Sequence, residues 1–244
     1  MCDQHNHGEH EHSHAGIRVS RVSVPVMENI LSANDRLAGH MRKRWAGQGT
    51  LVVNLLSSPG SGKTALLEKT IDRLIGRKRI LVLEGDIETE RDADRVRARG
   101  ADAVTITTGG ACHLEANLVE QAFVQADRGL PYDIIFVENV GNLVCPASYD
   151  LGEHLRVVLL SVPEGDDKPA KYPAAFRSAG LFVISKTDVL PHFDFDVVRA
   201  TAEAQTLRPG LETIALSSKS GHGMNEWLAL LETHRQAMAP VFAG

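Results

Sequence analysis

A chain of 244 residues, 43% of them apolar, is long enough to bury one large core, and it contains no run of about 18 apolar residues that would span a membrane. A net charge of -5 gives it no overall attraction for nucleic acid. Three cysteines, Cys2, Cys112 and Cys145, are too few and too uneven for a disulfide framework. With a polar N-terminus that lacks an apolar leader, they point to a cytoplasmic chain whose thiols are free or bind metal.

Residues 1–16 are polar and histidine-rich and read as a disordered, metal-binding tail. Residues 17–50 read as an extended entry followed by an amphipathic helix near 27–45, and residues 51–244 as a single catalytic domain. Within that domain apolar, β-branched runs fall near 51–56, 79–84, 103–107, 133–137, 156–162, 180–185 and 212–216. Helical periodicity falls between them, near 63–76, 90–99, 113–126, 194–206 and 223–235. Continuous apolar strands alternating with helices predict an α/β fold, a mostly parallel sheet of about seven strands with helices on both faces. In such a sheet ligands sit beyond the carboxyl ends of the strands, so the residues that end strands carry the chemistry.

The first strand ends in Ser57-Ser58-Pro59-Gly60-Ser61-Gly62-Lys63-Thr64, and an amphipathic stretch begins at Ala65. That is the phosphate-binding loop of a P-loop NTPase, with Ser57 where Gly is usual. Glycines at 60 and 62 let backbone N–H groups turn inward around a polyphosphate, Lys63 reaches the outer phosphates, and the Thr64 hydroxyl can ligate Mg²⁺. Ser58 to Ala65 are therefore candidate nucleotide ligands, with the positive end of the following helix behind them.

Later strand ends extend the site. Asp86 is a candidate Mg²⁺ ligand and Asp92 a candidate for orienting an attacking water, against the simpler alternative that both acids cap the next helix. Glu138, three residues before Gly141, resembles the magnesium and γ-phosphate switch of GTPases, with Glu in place of the usual Asp. Ser185-Lys186-Thr187-Asp188 predicts guanine recognition, because the Asp188 carboxylate can pair with the N1–H and exocyclic amine that adenine lacks, while Lys186 lies along the base. Ser217-Ser218-Lys219 fits the loop that closes over that base.

Two features point to a transition metal. Cys112-His113, expected to open a helix after Gly109 and Gly110, and Cys145, on the switch segment, offer two thiolates and an imidazole. That set suits Ni²⁺ or Zn²⁺ and is one ligand short of a closed tetrahedral site, so solvent or a second subunit completes it. The alternative is a small buried residue at 112 and a loop thiol at 145. In the tail, His5, His7, His10, His12 and His14 have near-alternate spacing that lets imidazoles converge on an ion, with Cys2 nearby.

Four strings, 54–64, 107–114 (Thr-Thr-Gly-Gly-Ala-Cys-His-Leu), 138–147 (Glu-Asn-Val-Gly-Asn-Leu-Val-Cys-Pro-Ala) and 163–173 (Pro-Glu-Gly-Asp-Asp-Lys-Pro-Ala-Lys-Tyr-Pro), resemble the HypB family, GTPases that help insert nickel into [NiFe]-hydrogenase. The resemblance runs from about Ala33 to Trp227. It implies GTP and GDP binding with Mg²⁺, slow hydrolysis, dimerisation promoted by nucleotide or metal, and delivery of Ni²⁺ with a HypA-type protein to the hydrogenase large-subunit precursor. It puts Cys112, His113 and Cys145 on the family's metal-site positions. Two other readings stay open: a urease-type nickel-insertion GTPase, whose members usually carry Cys-Pro-His there, and a metal buffer whose nucleotide site is structural.

Overall fold

The computed structural model describes residues 23–86 and 91–238, with side chains from Asn29 onward and without that of Asp86. The histidine tail with Cys2, His5, His7, His10, His12 and His14, and the first part of the expected extended entry, 17–22, lie outside the described residues. The elements run α1 (Ser23–Gly47), β1 (Leu51–Ser57), α2 (Lys63–Leu74), β2 (Ile80–Asp86), α3 (Arg91–Arg97), β3 (Asp102–Thr107), α4 (Ala116–Ala126), β4 (Ile134–Gly141) and β5 (Leu155–Ser161). They continue with α5 (Lys168–Lys171), α6 (Pro173–Ser178), β6 (Leu181–Ser185), α7 (Val197–Leu207), β7 (Thr213–Ala215) and α8 (Met224–Ala237). Short 3₁₀ turns cover Cys145–Ser148, Val162–Glu164 and Thr187–His192.

The strands form one sheet in the order β3-β2-β4-β1-β5-β6-β7, and every pair is parallel. All seven residues of β1 are buried because both faces are covered, which is why it reads as an unbroken apolar run rather than an alternation. One face packs Leu51, Val53 and Leu55 against α2 and α8 through Leu67, Ile71 and Trp227. The other face carries two clusters. Val52 joins Met41 and Trp45 of α1 and Phe123 of α4, while Leu56 joins Phe176 of α6 and Ala200 and Ala204 of α7. The three-to-four-residue spacing of Ala38, Met41 and Trp45 turns one stripe of α1 to the sheet.

Three expectations need correction. Cys112 and His113 do not open a helix: α4 starts at Ala116, whose N–H is taken by Asn34 Oδ1 at 2.9 Å, and the preceding residues form a loop after Gly109 and Gly110 at φ +61° and +93°. Residues 23–26, expected to be part of the extended entry, instead form the first turn of α1, and the segment after β5, given no element by the sequence reading, holds α5 and α6, each with Pro in its first turn, where the ring costs no hydrogen bond and presets φ.

Thr70 joins α2 to α8: its hydroxyl accepts the Trp227 indole N–H at 2.9 Å and donates to Leu66 O at 2.7 Å, all fully buried. Thr70→Val leaves that indole donor unpaired and should cost about 1–3 kcal/mol in a urea titration; a loss below about 0.5 kcal/mol would mean that the two helices are held by apolar packing alone.

Candidate functional site

The loop between β1 and α2 is wound by Gly60 and Gly62 at φ +74° and +95°. A Cβ at Gly60 would meet nothing, so it is the left-handed backbone and not space that calls for glycine there. Gly62 is the N-cap of α2 with no side-chain cap, leaving the first-turn N–H groups of the helix directed at the loop. Ser57, the departure from the usual pattern, has a place: its hydroxyl accepts a hydrogen bond from Lys63 Nζ at 2.9 Å and donates to Ser58 O at 2.8 Å. Lys63 is almost fully buried, and burial pulls its ammonium below the usual lysine range against the opposing pull of Glu138, Asp92, Glu164 and Glu84.

A cleft of about 580 Å³ opens over this loop, between the ends of β1, β2 and β4. Glu138 lies at its floor, paired in register with Glu84 of β2. The Thr64 hydroxyl donates to Glu138 Oε1 at 2.9 Å, while Glu138 Oε2 is buried with no hydrogen-bond partner. Burial pushes the Glu138 carboxyl up to about 7, with Lys63 and the Thr64 hydrogen bond pulling the other way. A hydroxyl and a carboxylate oxygen lacking a partner are the hard oxygen donors that Mg²⁺ takes, so the residues fit that ion. Asp86 ends β2 beside Thr107 of β3, and its side chain lies outside what is described. Gly141 touches the loop so closely that a Cβ would fall 3.0 Å from the Pro59 backbone.

Asp92 and Arg95 close one side of the cleft. Arg95 donates to Asp92 Oδ1 at 2.7 Å and forks onto Glu68 at 2.7 and 3.2 Å, so the acid expected to hold a water is held by a cation. Opposite, Lys186 takes the left-handed conformation at φ 58° and reaches across the loop to Gly60 O at 2.6 Å, and Ser185 donates to Ser61 O at 2.7 Å. Asp188 Oδ1 accepts the Ser217 hydroxyl at 2.6 Å, and Lys219 stands 4.0 Å from its other oxygen. Ser218, half-buried, follows in the same loop. Asp188, Ser217 and Lys219 therefore meet, while Lys186 and Ser185 tie the end of β6 to the phosphate loop.

Two cleft residues, Glu84 and Arg95, and one residue bonded to the phosphate loop, Glu164, are missed by the sequence reading. Glu84 and Arg95 sat among many acids and bases near a helix start. Glu164, in the Val162–Glu164 turn, takes hydrogen bonds from the Ser161 N–H at 2.8 Å and from the Ser161 and Ser61 hydroxyls at 2.7 Å each. Burial alone would raise its carboxyl, but these bonds outweigh it and hold it below the usual range. Its signal was a Ser-to-Glu capping-box spacing, Ser161 to Glu164.

Two of the metal candidates touch and the third is close by. Cys112 Sγ is 3.8 Å from His113 Nδ1, and the neighbouring Cys145 thiol is the foremost influence raising the Cys112 thiol, with desolvation second. Asn142 donates to Cys112 O at 3.3 Å, and the His113 ring stacks on Tyr149 at 3.9 Å. Asn34 of α1 clamps the two loops, donating to Asp150 O at 2.8 Å and accepting from Ala116 N. Among the described residues, no three His, Cys, Asp or Glu side chains form a ready ligand set within one chain.

In the ligand-free protein the native state keeps a proton on Glu138 that the unfolded chain releases near its ordinary 4.5, so stability falls as pH rises from there to about 7. Glu138→Gln removes that cost and should raise Tm more at pH 8 than at pH 5, by thermal melts without nucleotide. A gain independent of pH would show an ordinary carboxyl.

The family model described as CobW/HypB/UreG, nucleotide-binding domain, matches residues 51–215, from the first residue of β1 to the end of β7. The chain is 51% identical over 223 residues to the hydrogenase maturation factor HypB of Azotobacter chroococcum mcd 1, covering 91% of this chain and 72% of that one. To HypB of Escherichia coli strain K12 it is 48% identical over 236 residues, 96% and 80% of the two chains. The crystal structure of HypB from Helicobacter pylori in complex with nickel matches with a TM-score of 0.79 at 44% identity, over 87% of this chain and all of that one. A P-loop site of this geometry and identities near one half over nine-tenths of the sequence give one assignment: the chain belongs to the CobW/HypB/UreG family, among its HypB members.

Proposed function

We propose that this chain is a GTP-hydrolysing nickel carrier in hydrogenase maturation, in which nucleotide state governs how tightly the metal is held. The observation that carries the proposal is a single stretch of chain: β4 brings Glu138 to the phosphate loop, touches Pro59 at Gly141, and four residues later presents Cys145 beside Cys112. The nickel-bound relative supports Ni²⁺ as cargo, although two sulfurs and an imidazole also accept Zn²⁺. The histidine tail, with Cys2, is assigned capture of the ion. Cys112, His113 and Cys145 are one ligand short of a closed tetrahedral set among the described residues, so a homodimer in which a second copy supplies the fourth fits them, with a HypA-type protein as donor and the large-subunit precursor as acceptor.

In the reaction a water attacks the γ-phosphorus in line, the bond to the β–γ bridging oxygen breaks, and negative charge grows on the β-phosphate of the departing GDP. Lys63 and the backbone N–H groups of Gly60 to Thr64 offset that charge. Thr64 and Glu138, with Asp86 nearby, would hold Mg²⁺, which neutralises the β- and γ-oxygens when bound. Asp92 orients the water once Arg95 turns from it, and Asp188 selects guanine with Lys186 and the Ser217-Ser218-Lys219 loop around the base. Loss of the γ-phosphate releases Gly141, and the turn at Cys145 relaxes with it.

Isothermal titration of GTP, GDP and ATP, with and without Ni²⁺, tests base choice and coupling together. GTP and GDP should bind and ATP should be at least about 100-fold weaker, with Asp188→Asn weakening GDP by roughly 100-fold. Ni²⁺ affinity should differ between GDP and a non-hydrolysable GTP analogue, and equal values would remove the gating. Asp92→Asn should lower kcat by roughly 10²–10⁴-fold at unchanged GDP affinity; an unchanged kcat would free Asp92 from any role in hydrolysis.

A further inference from the structure

β1 reads Leu-Val-Val-Asn-Leu-Leu-Ser, and Asn54, an amide in the middle of an apolar strand, is completely buried. On its face of the sheet it stands between Val52 and Leu56, which belong to the two separate apolar clusters under α1/α4 and α6/α7, so it occupies the seam between them. Its cross-strand neighbours are Val137 on β4 and Arg156 on β5.

A chain of hydrogen bonds runs along this seam. Asn139, the residue after Glu138, accepts the Val140 N–H on its Oδ1 at 3.0 Å and donates from Nδ2 to Asn54 Oδ1 at 3.3 Å. Asn54 Nδ2 donates to Glu153 Oε1 at 3.2 Å, which Arg156 Nε also reaches at 2.6 Å. The two terminal nitrogens of Arg156 then donate to Ala147 O at 3.0 Å and Tyr149 O at 2.8 Å. Those carbonyls hold the turn that carries Cys145 and the tyrosine whose ring covers His113. Arg156 can only donate, so Glu153 Oε1 accepts from it and from Asn54, and each amide between Glu153 and Val140 has a single workable orientation. Asn54, wedged between two close-packed clusters, cannot absorb a shift at one end of the chain without moving or breaking a link, while Glu153 and Arg156 border an open pocket of about 310 Å³. A buried ion pair with amides is seldom the most stable filling for an apolar seam, so its consequence here is position.

We propose that Asn139, Asn54, Glu153 and Arg156 are positioning residues that carry nucleotide state from the end of β4 to the thiol turn at Cys145–Ser148. The proposal rests on the gated reading above and gives it a route distinct from the peptide 141–145: Arg156 holds the far side of the turn, and Asn139 sets where Arg156 lies.

The test uses the full metal-free chain with Mg·GDP or Mg with a non-hydrolysable GTP analogue, and follows alkylation of Cys145 by peptide mass spectrometry. The Kd for Ni²⁺ in the two nucleotide states is a second readout. Asn54→Leu removes the central link at similar volume; Arg156→Lys keeps the charge beside Glu153 but cannot fork onto two carbonyls. In the unaltered protein the two nucleotides should give rates and Kd values at least about 5-fold apart, the low end of ordinary allosteric coupling. In both variants the ratio should fall to about one, with GDP affinity unchanged within about threefold. A ratio of one in the unaltered protein overturns the gated reading and the relay with it. A full ratio retained in folded Arg156→Lys, whether or not Asn54→Leu folds, overturns the relay alone.

Discussion

Glu138 is a carboxylate placed where water does not solvate it, with a hydroxyl on one oxygen and nothing on the other. Burial on this scale disfavours the charged form, which is why its pKa climbs while that of the neighbouring Lys63 falls. Both groups are therefore unsettled without a ligand: a divalent cation on the acid and a phosphate on the ammonium each restore the charge that burial suppresses. The parallel pairing of β1 with β4, in which Leu55 sits opposite Glu138, sets this arrangement. A one-residue slip of that register would turn Glu138 to the other face of the sheet and dismantle the site.

The two faces of the sheet divide the work. Glu84, Glu138, Lys63 and Thr64 lie on the side of α2, where the cleft opens. The opposite face carries Asn139, Asn54 and Arg156 in a seam between two apolar clusters. Because side chains alternate along a strand, adjacent residues 138 and 139 of β4 turn to the phosphate loop and to the buried seam respectively.

Much of this was legible in the sequence. The phosphate loop is local, so Gly60, Gly62, Lys63 and Thr64 could be read from spacing, and the strand-ending residues Glu138, Asp188 and Ser217 followed once a parallel sheet was inferred. Glu84, Arg95, Glu164 and Asn34 were not legible. Each is an ordinary polar residue in its own stretch, and what ties Arg95, Glu164 and Asn34 to the site is a partner 27 or more positions away, Glu68 for Arg95, Ser61 for Glu164 and Asp150 for Asn34; the local capping-box spacing of Ser161 and Glu164 gives no hint of that long-range bond. The helix expected from residue 113 failed for the same reason, since Asn34 on a distant helix satisfies the first N–H of α4 and fixes its start at Ala116.

By itself the sequence determined the alternation of strand and helix, the phosphate loop, the likeness to HypB and the identity of the sulfur and imidazole donors, because these depend on periodicity and on residues close together in the chain. Only the tertiary structure decided that Cys112 lies against His113 and near Cys145, that Ser57 anchors Lys63, and that a buried amide links the end of β4 to the turn at Cys145–Ser148. Those facts depend on strand order, register and the face to which each side chain points, and long-range pairing settles them after the local pattern has been satisfied.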